Sequence, residues 1–524
     1  MRRLFRFAQP EHSLIASSAA TLLITSSSTL VLPAASGHVM DAVLGGGGGG
    51  GDAWSSPPVV AAGLFGLTAL AGAGVYARTL WLQRAGNQLA SRLKSNLFRS
   101  MLQQEMAWLE RQKTGDLLTR LSQDTQLIQS AVTTQSVATL RGIIMSLGST
   151  ALLINTSPVL AAVSVATLPP LFVGARIAGQ TLRQQQHEVQ TLHGHATAAA
   201  EQAIQGMATV VQFGAQGQED RRYRTAVQTA HDRAISTGRT QALFEGAVHV
   251  AANGAVLGVL GYGGCLVVDG TLSVGDLTSF LMYSLLLAGN VSGLSGTYAE
   301  VSKAVAAADR VWAVLDRTPS IPVGTFAPQT TTDAAATTTT TTLDHPLSIE
   351  FRNVNFSYPT RPENIVLGPE FSLRVQPGEV LAIVGESGSG KSTLARLLTR
   401  LYDIDPSTGT TTPEQSQNES AILIHGKDIR EWDPQELRQR VVGIVSQEPW
   451  LLDGSLAENI RHGRPSATDR EVREAAALAH VWSFASGFPQ GMDTPVGPRG
   501  GTQLSGGQKQ RGTCLQLRIN VCTM

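Results

Sequence analysis

The chain has 524 residues, 42% of them hydrophobic and only 15% charged, and its 40 basic residues balance its 40 acidic ones. This length allows two or three domains, and a net charge of zero argues against a nucleic-acid-binding protein. Cys265, Cys514 and Cys522 have neither metal-ligand spacing nor the even count of a disulfide framework, so we expect free thiols.

The N-terminal residues 1–12 contain three arginines, but no apolar stretch with a small-residue cleavage site follows them. A secretory signal peptide is therefore not expected. The segment is also too short for an organelle transit peptide, which is longer and rich in Arg and Ser. No targeting segment is predicted, and residues 1–13 are interpreted as an inner N-terminal segment.

Six apolar stretches are long enough to cross a bilayer, which takes about 20 residues because the hydrocarbon offers no water to an open backbone. They cover residues 14–36, 59–82, 136–155, 159–178, 247–268 and 277–298. The alternative is a soluble bundle, but soluble helices seldom continue far without a charge on one face. The stretches predict an α-helical membrane domain with six spans over residues 14–317, embedded in a lipid bilayer.

The distribution of Lys and Arg predicts the topology of these spans. Neither residue occurs in 33–77, 142–175 or 240–302, whereas both intervening segments are rich in arginine. Since basic residues stay on the inner side, both termini are expected inside, with two long inner loops. Leu89, Leu93 and Leu97 have helical spacing, so the spans are expected to continue inward as amphipathic helices.

Two low-complexity segments interrupt the chain. Gly45–Gly51 lies in the first outer loop and is predicted to be a flexible insertion. Residues 318–346, with a run of threonines at their centre, are predicted to form a linker between the membrane domain and a soluble domain.

The first functional motif of the soluble part is a glycine-rich loop at residues 385–393. The apolar run Leu381–Val384 is predicted to be a strand, and the apolar periodicity of 394–401 indicates a helix after the loop. Strand, loop and helix in this order predict a phosphate-binding loop whose amides surround the phosphates of ATP. Lys391 should reach the outer phosphates and Ser392 should ligate Mg²⁺. The candidate ATP-binding residues of the loop are Gly385, Ser387, Gly388, Ser389, Gly390, Lys391, Ser392 and Thr393.

A second motif follows downstream, formed by Leu504, Ser505, Gly506, Gly507 and Gln508. Alone it is equally compatible with an ordinary glycine-containing loop. After a phosphate-binding loop it resembles the signature of ABC transporter ATPase domains. The resemblance implies an α/β P-loop NTPase domain over residues 347–511. It also implies that two such domains meet head to tail, so that one chain's signature completes the partner's ATP site.

Two more positions match this family. Tyr358 resembles the aromatic residue that stacks on adenine, although a tyrosine in a short strand is more often a packing residue. Gln447 resembles the glutamine that approaches Mg²⁺ and senses the membrane domain, the alternative being a polar turn residue. The resemblance thus implies ATP and Mg²⁺ as cofactors, with Ser392 and Gln447 near the metal.

The membrane half supports the same family. Residues 114–124 resemble the first inner loop, and residues 275–283 the sixth span, of multidrug-resistance-type half-transporters of the B subfamily. Within that subfamily the chain looks most like the mitochondrial inner-membrane exporters. The resemblance implies a type 1 ABC exporter fold, a dimer of half-transporters and a place in the mitochondrial inner membrane.

The chain departs from the family after the signature. The family uses an Asp-Glu pair to hold Mg²⁺ and polarise water, and a histidine to contact the γ-phosphate, but residues 512–524 contain no Asp, Glu or His. We therefore expect an incomplete domain followed by an unrelated tail, with ATP binding kept and hydrolysis lost. An unpaired sheet edge is also expected, together with a surface insertion between Asp403 and Ile422 and an altered stretch from Pro498 to Gln503.

Two functional hypotheses remain open. In the first, the chain is an incomplete version of an exporter, through truncation, splicing or a faulty gene model, which moves an amphipathic molecule or peptide as a homodimer. In the second, it is a non-hydrolysing subunit that lends Ser505, Gly507 and Gln508 to a complete partner. The sequence does not identify the transported substrate.

Overall fold

A computed structural model describes residues 2–44, 57–166, 168–321, 347–404, 420–447, 449–497 and 504–512. The chain divides into two units, of which the first comprises residues 1–92 and 124–308 and the second residues 93–123 and 309–524. The unit boundaries fall inside long helices. The domain limits given above therefore stay a prediction.

Helices account for almost all of the described chain before residue 316. They are α1 Arg2–Phe7, α2 His12–Leu44, α3 Pro57–Leu102, α4 Met106–Leu109, α5 Thr114–Thr119, α6 Thr125–Ser130, α7 Ser136–Thr156, α8 Pro158–Ala166, α9 Leu168–Gln205, α10 Met207–Gln212, α11 Gln216–Val268 and α12 Val274–Leu315. A 3-10 turn lies at Gln9–Glu11, and π turns lie at Arg120–Asp124 and Ala131–Gln135. The π turns keep residues 114–156 in one continuous helical stretch.

Four helical stretches are long and apolar enough to cross a membrane: Gln9–Val43, Thr114–Thr156, Gln216–Val268 and Val274–Leu315. The two other predicted spans are also helical, one within α3 and one in α8 and α9 on either side of residue 167. The helical membrane domain is thus confirmed, while the count of six spans stays a prediction. The helical continuation of the second span is confirmed, because α3 continues to Leu102 and buries Leu89, Leu93 and Leu97, while its place on the inner side stays a prediction.

Helices α2 and α12 approach each other closely at a pair of glycines. A methyl group on Gly37 would lie 2.5 Å from the carbonyl oxygen of Gly275, and one on Gly275 would lie 2.5 Å from Cγ of Asp41. Asp41 accepts hydrogen bonds of 2.7 Å from the Gly275 amide and from the Ser273 hydroxyl. We call this group of four residues the glycine contact. Small residues that let backbones approach are typical of helix pairs in membranes.

The second unit contains a four-stranded sheet in the order β2-β1-β3-β4, with every described pairing antiparallel. The strands are β1 Ile349–Ser357, β2 Ile365–Val375, β3 Ala421–Ile424 and β4 Lys427–Asp428. One core packs helix α13, Lys391–Leu398, against this sheet through Leu394 and Leu397. Because the helix begins directly after the glycine loop, this packing fixes the position of the loop.

A separate core of the same unit is built mostly from short helices. They are α15 Leu456–Arg461, α16 Asp469–Leu478 and α17 Trp482–Ala485, with the strand pair β5 Gly454–Ser455 and β6 Pro495–Val496. Helix α14, Pro434–Glu436, instead leads into Leu437, which is buried in the core of the four-stranded sheet. This core contains α15, α16, α17 and Leu504 of the signature. Ser455 and Thr468 each begin a helix with a capping box, in which side chain and backbone satisfy each other's hydrogen bonds.

The prediction of a strand at Leu381–Val384 is wrong. The run has no strand pairing in the structure, and it is exposed, with Val384 88% accessible. Residues 442–446 likewise form no strand, and Val445 is exposed. A buried parallel strand needs neighbours on both edges and cover on both faces, and the described part of the chain supplies neither here. The structure therefore has two irregular apolar runs here, and not a formed strand with an unpaired edge.

Several sequence predictions fall outside the described residues. They are the glycine run 45–51, most of the linker at 322–346, most of the insertion at 405–419, the altered stretch 498–503, and the tail from residue 513 onward. They remain predictions.

Candidate functional site

The glycine loop contains two residues with left-handed backbone. Gly388 has φ +90° and Gly390 has φ +86°, values that L side chains rarely adopt. A methyl group on Gly390 would also lie 3.1 Å from Cγ1 of Val366. Because α13 begins at Lys391 with no side-chain cap, the amides of Lys391 and Ser392 have no acceptor among the described residues and are available to an anion. The next amide, of Thr393, donates to the carbonyl oxygen of Gly390 at 3.0 Å.

Lys391 closes the loop from inside. Its ammonium group donates to the carbonyl oxygens of Gly385 at 2.9 Å and Glu386 at 2.6 Å, and lies 3.4 Å from the Ser389 hydroxyl. These contacts place the positive charge at the centre of the loop. Ser387, Ser389 and Ser392 expose their side chains around it. The group of an ammonium, exposed hydroxyls and free helix-start amides fits a Mg²⁺-bound polyphosphate.

Tyr358 follows β1 directly and joins the loop helix to the sheet. Its hydroxyl and that of buried Thr393 are 2.9 Å apart and share a hydrogen bond. Its ring packs edge-on against Phe356 and Tyr402, and the Arg396 guanidinium lies 5.7 Å from the ring centre. The structure therefore places Tyr358 beside the loop in a packing role, and adenine stacking would require Arg396 to leave the ring.

The signature begins a helix with its own reciprocal cap. The Ser505 amide donates to the Gln508 side chain at 2.8 Å, and the Gln508 amide donates to the Ser505 hydroxyl at 3.3 Å. Leu504 is buried in the second core, while Gly506 and Gly507 are exposed at the helix start. The spacing of serine and glutamine in Ser-Gly-Gly-Gln is thus explained locally, because these two residues form a capping box.

Gln447 is exposed and lies next to the signature helix. Its carbonyl oxygen accepts a hydrogen bond of 3.2 Å from the side chain of Gln510. Among the described residues, no hydrogen bond or ion pair joins the signature or Gln447 to the glycine loop. One chain therefore brings Tyr358 and Thr393 together, and separately Gln447 and the signature helix, but it does not join the two groups.

Sequence reasoning missed the contacts made by the segment between α3 and α5. Glu105 is buried, pairs with Arg317 and accepts a hydrogen bond of 3.1 Å from the Ser320 amide. Burial alone would raise the pKa of Glu105, but the Ser320 amide and the Arg317 guanidinium hold it below its ordinary value. Arg111 donates to the carbonyl oxygen of Pro359, next to Tyr358.

These contacts connect residues more than 200 positions apart, so no local pattern reveals them. A cavity of about 570 Å³ lies beside them, with Glu105, Phe356 and Tyr402 in its wall. The segment before α5 and the sheet of the nucleotide-binding part are therefore physically linked.

Comparison with known families decides the relationship of the chain. The family model described as ABC transporter transmembrane region matches residues 15–291, and the model described as ABC transporter matches residues 369–520. The chain belongs to the ABC transporter family. The first match covers the helical membrane part and the second contains the glycine loop and the signature.

Individual relatives place the chain among B-subfamily half-transporters. It is 38% identical to the mouse protein ATP-binding cassette sub-family B member 10, mitochondrial, over 83% of the chain and 57% of the relative. It is 35% identical to the ABC multidrug transporter mdr2 of Aspergillus fumigatus, over 87% of the chain and 54% of the relative. It is 36% identical to the rat mitochondrial potassium channel ATP-binding subunit, over 82% of the chain and 57% of the relative.

The chain spans a little more than half the length of these curated relatives. Family membership, the helical membrane domain and the P-loop domain apply to the chain directly. The activity of a whole transporter, its substrate and its partners are proposals.

Proposed function

We propose that the chain is the ATP-binding half of a membrane exporter that works as a dimer and moves an amphipathic molecule or peptide. The observation that carries this proposal is the glycine loop, with left-handed Gly388 and Gly390 placing Lys391 and uncapped helix amides around one exposed point. The same polypeptide carries long apolar helices suited to a bilayer. The chain therefore combines a loop suited to nucleotide binding with helices suited to crossing a bilayer.

Within this proposal the loop residues divide the work. The loop amides grip the phosphates, apart from those of Ser389 and Thr393, which donate to carbonyl oxygens of the loop itself. Lys391 neutralises the outer phosphates and Ser392 holds Mg²⁺, with Gln447 as a second ligand that has to approach the loop from its place beside the signature helix. Bound Mg²⁺ would neutralise charge on the phosphates. Tyr358 stacks on adenine once Arg396 has moved off its ring. Leu504, Ser505, Gly506, Gly507 and Gln508 serve the ATP site of the partner chain, because they do not join the loop of their own.

Photolabelling with an azido analogue of ATP tests nucleotide binding in membranes that contain the chain. We expect magnesium-dependent labelling, reduced about tenfold or more by Lys391→Ala, because a charge-assisted contact is lost. Lys303→Ala is the matched control, since Lys303 lies on α12 and pairs only with Glu300 among the contacts described. Equal labelling of wild type and Lys391→Ala would sink the proposal.

Hydrolysis is proposed to be absent from a polypeptide of these 524 residues. The group that polarises the attacking water in the family is an acidic residue, and residues 512–524 hold no carboxylate side chain. Phosphoryl transfer depends on positioning and charge neutralisation, so the loss of base and metal ligand together should remove most of the rate. Phosphate release from liposomes should not exceed that of Lys391→Ala, and sustained release above it contradicts this point.

The exposed, self-capped signature favours a second candidate function. A chain with Ser505 and Gln508 held ready can complete the ATP site of another half-transporter without turning over its own nucleotide. Mixing it with a complete relative whose own signature has been inactivated should restore turnover in a Ser505-dependent way. If only homodimers form and turnover stays absent, this second candidate is excluded.

The mitochondrial inner membrane is the proposed location. Support comes from the mouse and rat relatives, whose names call them mitochondrial. An amphipathic cargo is proposed because the predicted spans hold few charges, so the path across the membrane offers mainly apolar surface. Fractionation of mitochondria with an antibody against the chain tests the location, and recovery in another membrane would refute it.

A further inference from the structure

The first unit contains a cleft that the nucleotide site does not explain. It has a volume of about 390 Å³ and lies between the middle of α3 and the start of α7. Arg78 of α3 and Arg141 of α7 both line it. Both arginines adjoin long uncharged segments of their helices. Charged side chains next to membrane-spanning segments are costly and usually have a function.

The two guanidinium groups repel each other electrostatically. Neither α3, over all of Pro57–Leu102, nor α7, over Ser136–Thr156, contains an Asp or Glu. Among the described residues no carboxylate forms an ion pair with Arg78 or Arg141. The cleft therefore holds two positive charges without an internal counter-charge, and binding an anion would relieve their repulsion.

The position of the arginines along their helices is specific. Residues 57–77 before Arg78 and 142–166 after Arg141 contain no charged side chain. Exposed Val75 and Ile143 lie close to the arginines on this uncharged side. The pair thus marks the level at which the apolar surface of the two helices ends, which is the level of lipid headgroups on the inner side.

Neutral hydrogen-bonding groups line the cleft on the inward side of each arginine. They are Gln83 and Asn87 on α3, and Gln129, Thr133 and Thr134 before α7. The Gln129 side chain lies against Gly86. A polar recess with two cations at its rim and apolar surface beyond it matches an amphiphile with an anionic head.

We propose that this cleft binds the phosphate group of an anionic phospholipid from the inner leaflet, held by the guanidinium groups of Arg78 and Arg141. Basic recesses between membrane helices are suited to such headgroups, because phosphate accepts the forked hydrogen bonds of arginine. The acyl chains lie along the uncharged segments of α3 and α7. A soluble phosphate offers the same chemistry, and the test separates these two sources.

The experiment measures lipid retained by the full 524-residue chain with native mass spectrometry. The chain is purified from vesicles of phosphatidylcholine with either cardiolipin or phosphatidylethanolamine. Cardiolipin should be retained and phosphatidylethanolamine should not, and excess inorganic phosphate should not displace the cardiolipin. Arg78→Gln and Arg141→Gln should each weaken cardiolipin binding by about tenfold or more, since each removes one charge-assisted contact.

Arg84→Gln is the matched control, because Arg84 is an exposed arginine on α3 that does not line the cleft. Arg141 is itself exposed, so its replacement should leave folding intact, which thermal unfolding checks. Equal loss in Arg84→Gln, or no loss in the two cleft variants, overturns the proposal. Displacement of cardiolipin by inorganic phosphate overturns the lipid as the natural source and assigns the cleft to a soluble anion. None of these readouts depends on ATP binding.

Discussion

Gly275→Ala places a methyl group where the backbone and side chain of α2 already lie. The new carbon would begin 2.5 Å from Cγ of Asp41, whereas carbons pack at about 3.5 Å, so the helices must separate by about 1 Å. That separation breaks or stretches both hydrogen bonds of Asp41 in the glycine contact. Overpacking and the weakened charge-assisted bonds together should cost about 2–4 kcal/mol of unfolding free energy.

The matched control is Gly289→Ala on the same helix. Outside its own helix backbone, no atom of the described residues lies within 4 Å of the methyl group that it adds, so it should stabilise α12 by up to about 1 kcal/mol through helix propensity. The same chemical change is therefore expected to have opposite signs at the two positions. Thermal unfolding of both variants in detergent, followed by size-exclusion chromatography, measures the difference. If Gly275→Ala is as stable as Gly289→Ala, the close approach of α2 and α12 is refuted.

Three further predictions concern the second unit. The pKa of Glu105 is lowered on folding, so its stabilising effect is present above the ordinary value of 4.5 and is lost as the pH falls through the lower folded value. Acid unfolding should therefore show a step below pH 4.5 that Glu105→Gln removes, and an unchanged step would contradict this. Ser455→Ala should cost about 1 kcal/mol in denaturant unfolding, and Ser455→Gly only a few tenths, because glycine tolerates the cap position; equal losses would argue against the capping box. Val384→Thr should reduce binding of the dye ANS without loss of stability, and a destabilised variant would mean that Val384 is buried after all.

Features governed by local patterns were predictable from the sequence. Apolar length and the gaps in Lys and Arg give the helices of the membrane part, and leucine spacing gives the helical continuation of α3. The left-handed positions at Gly388 and Gly390 follow from glycine in a phosphate-loop motif. The spacing of Ser505 and Gln508 also predicts a capping box, although the motif was first noticed through its family resemblance.

Features that depend on distant partners were not predictable. The ion pair of Glu105 with Arg317 and the close approach of Gly37 to Gly275 join residues more than 200 positions apart. The strand expected at Leu381–Val384 failed for a related reason. An apolar run indicates that a segment is suited to a buried strand. The strand forms only when neighbouring strands are present to pair with it.

Val380 and Val384 are exposed, in a run that pairs with no strand among the described residues. Extended apolar segments of this kind are what holdase chaperones recognise, and proteases cleave where the chain is open. The cellular lifetime of the polypeptide should therefore be set by quality control at this segment more than by the strength of its membrane helices. Its abundance should rise in cells that lack the responsible protease, before any change in transport is seen.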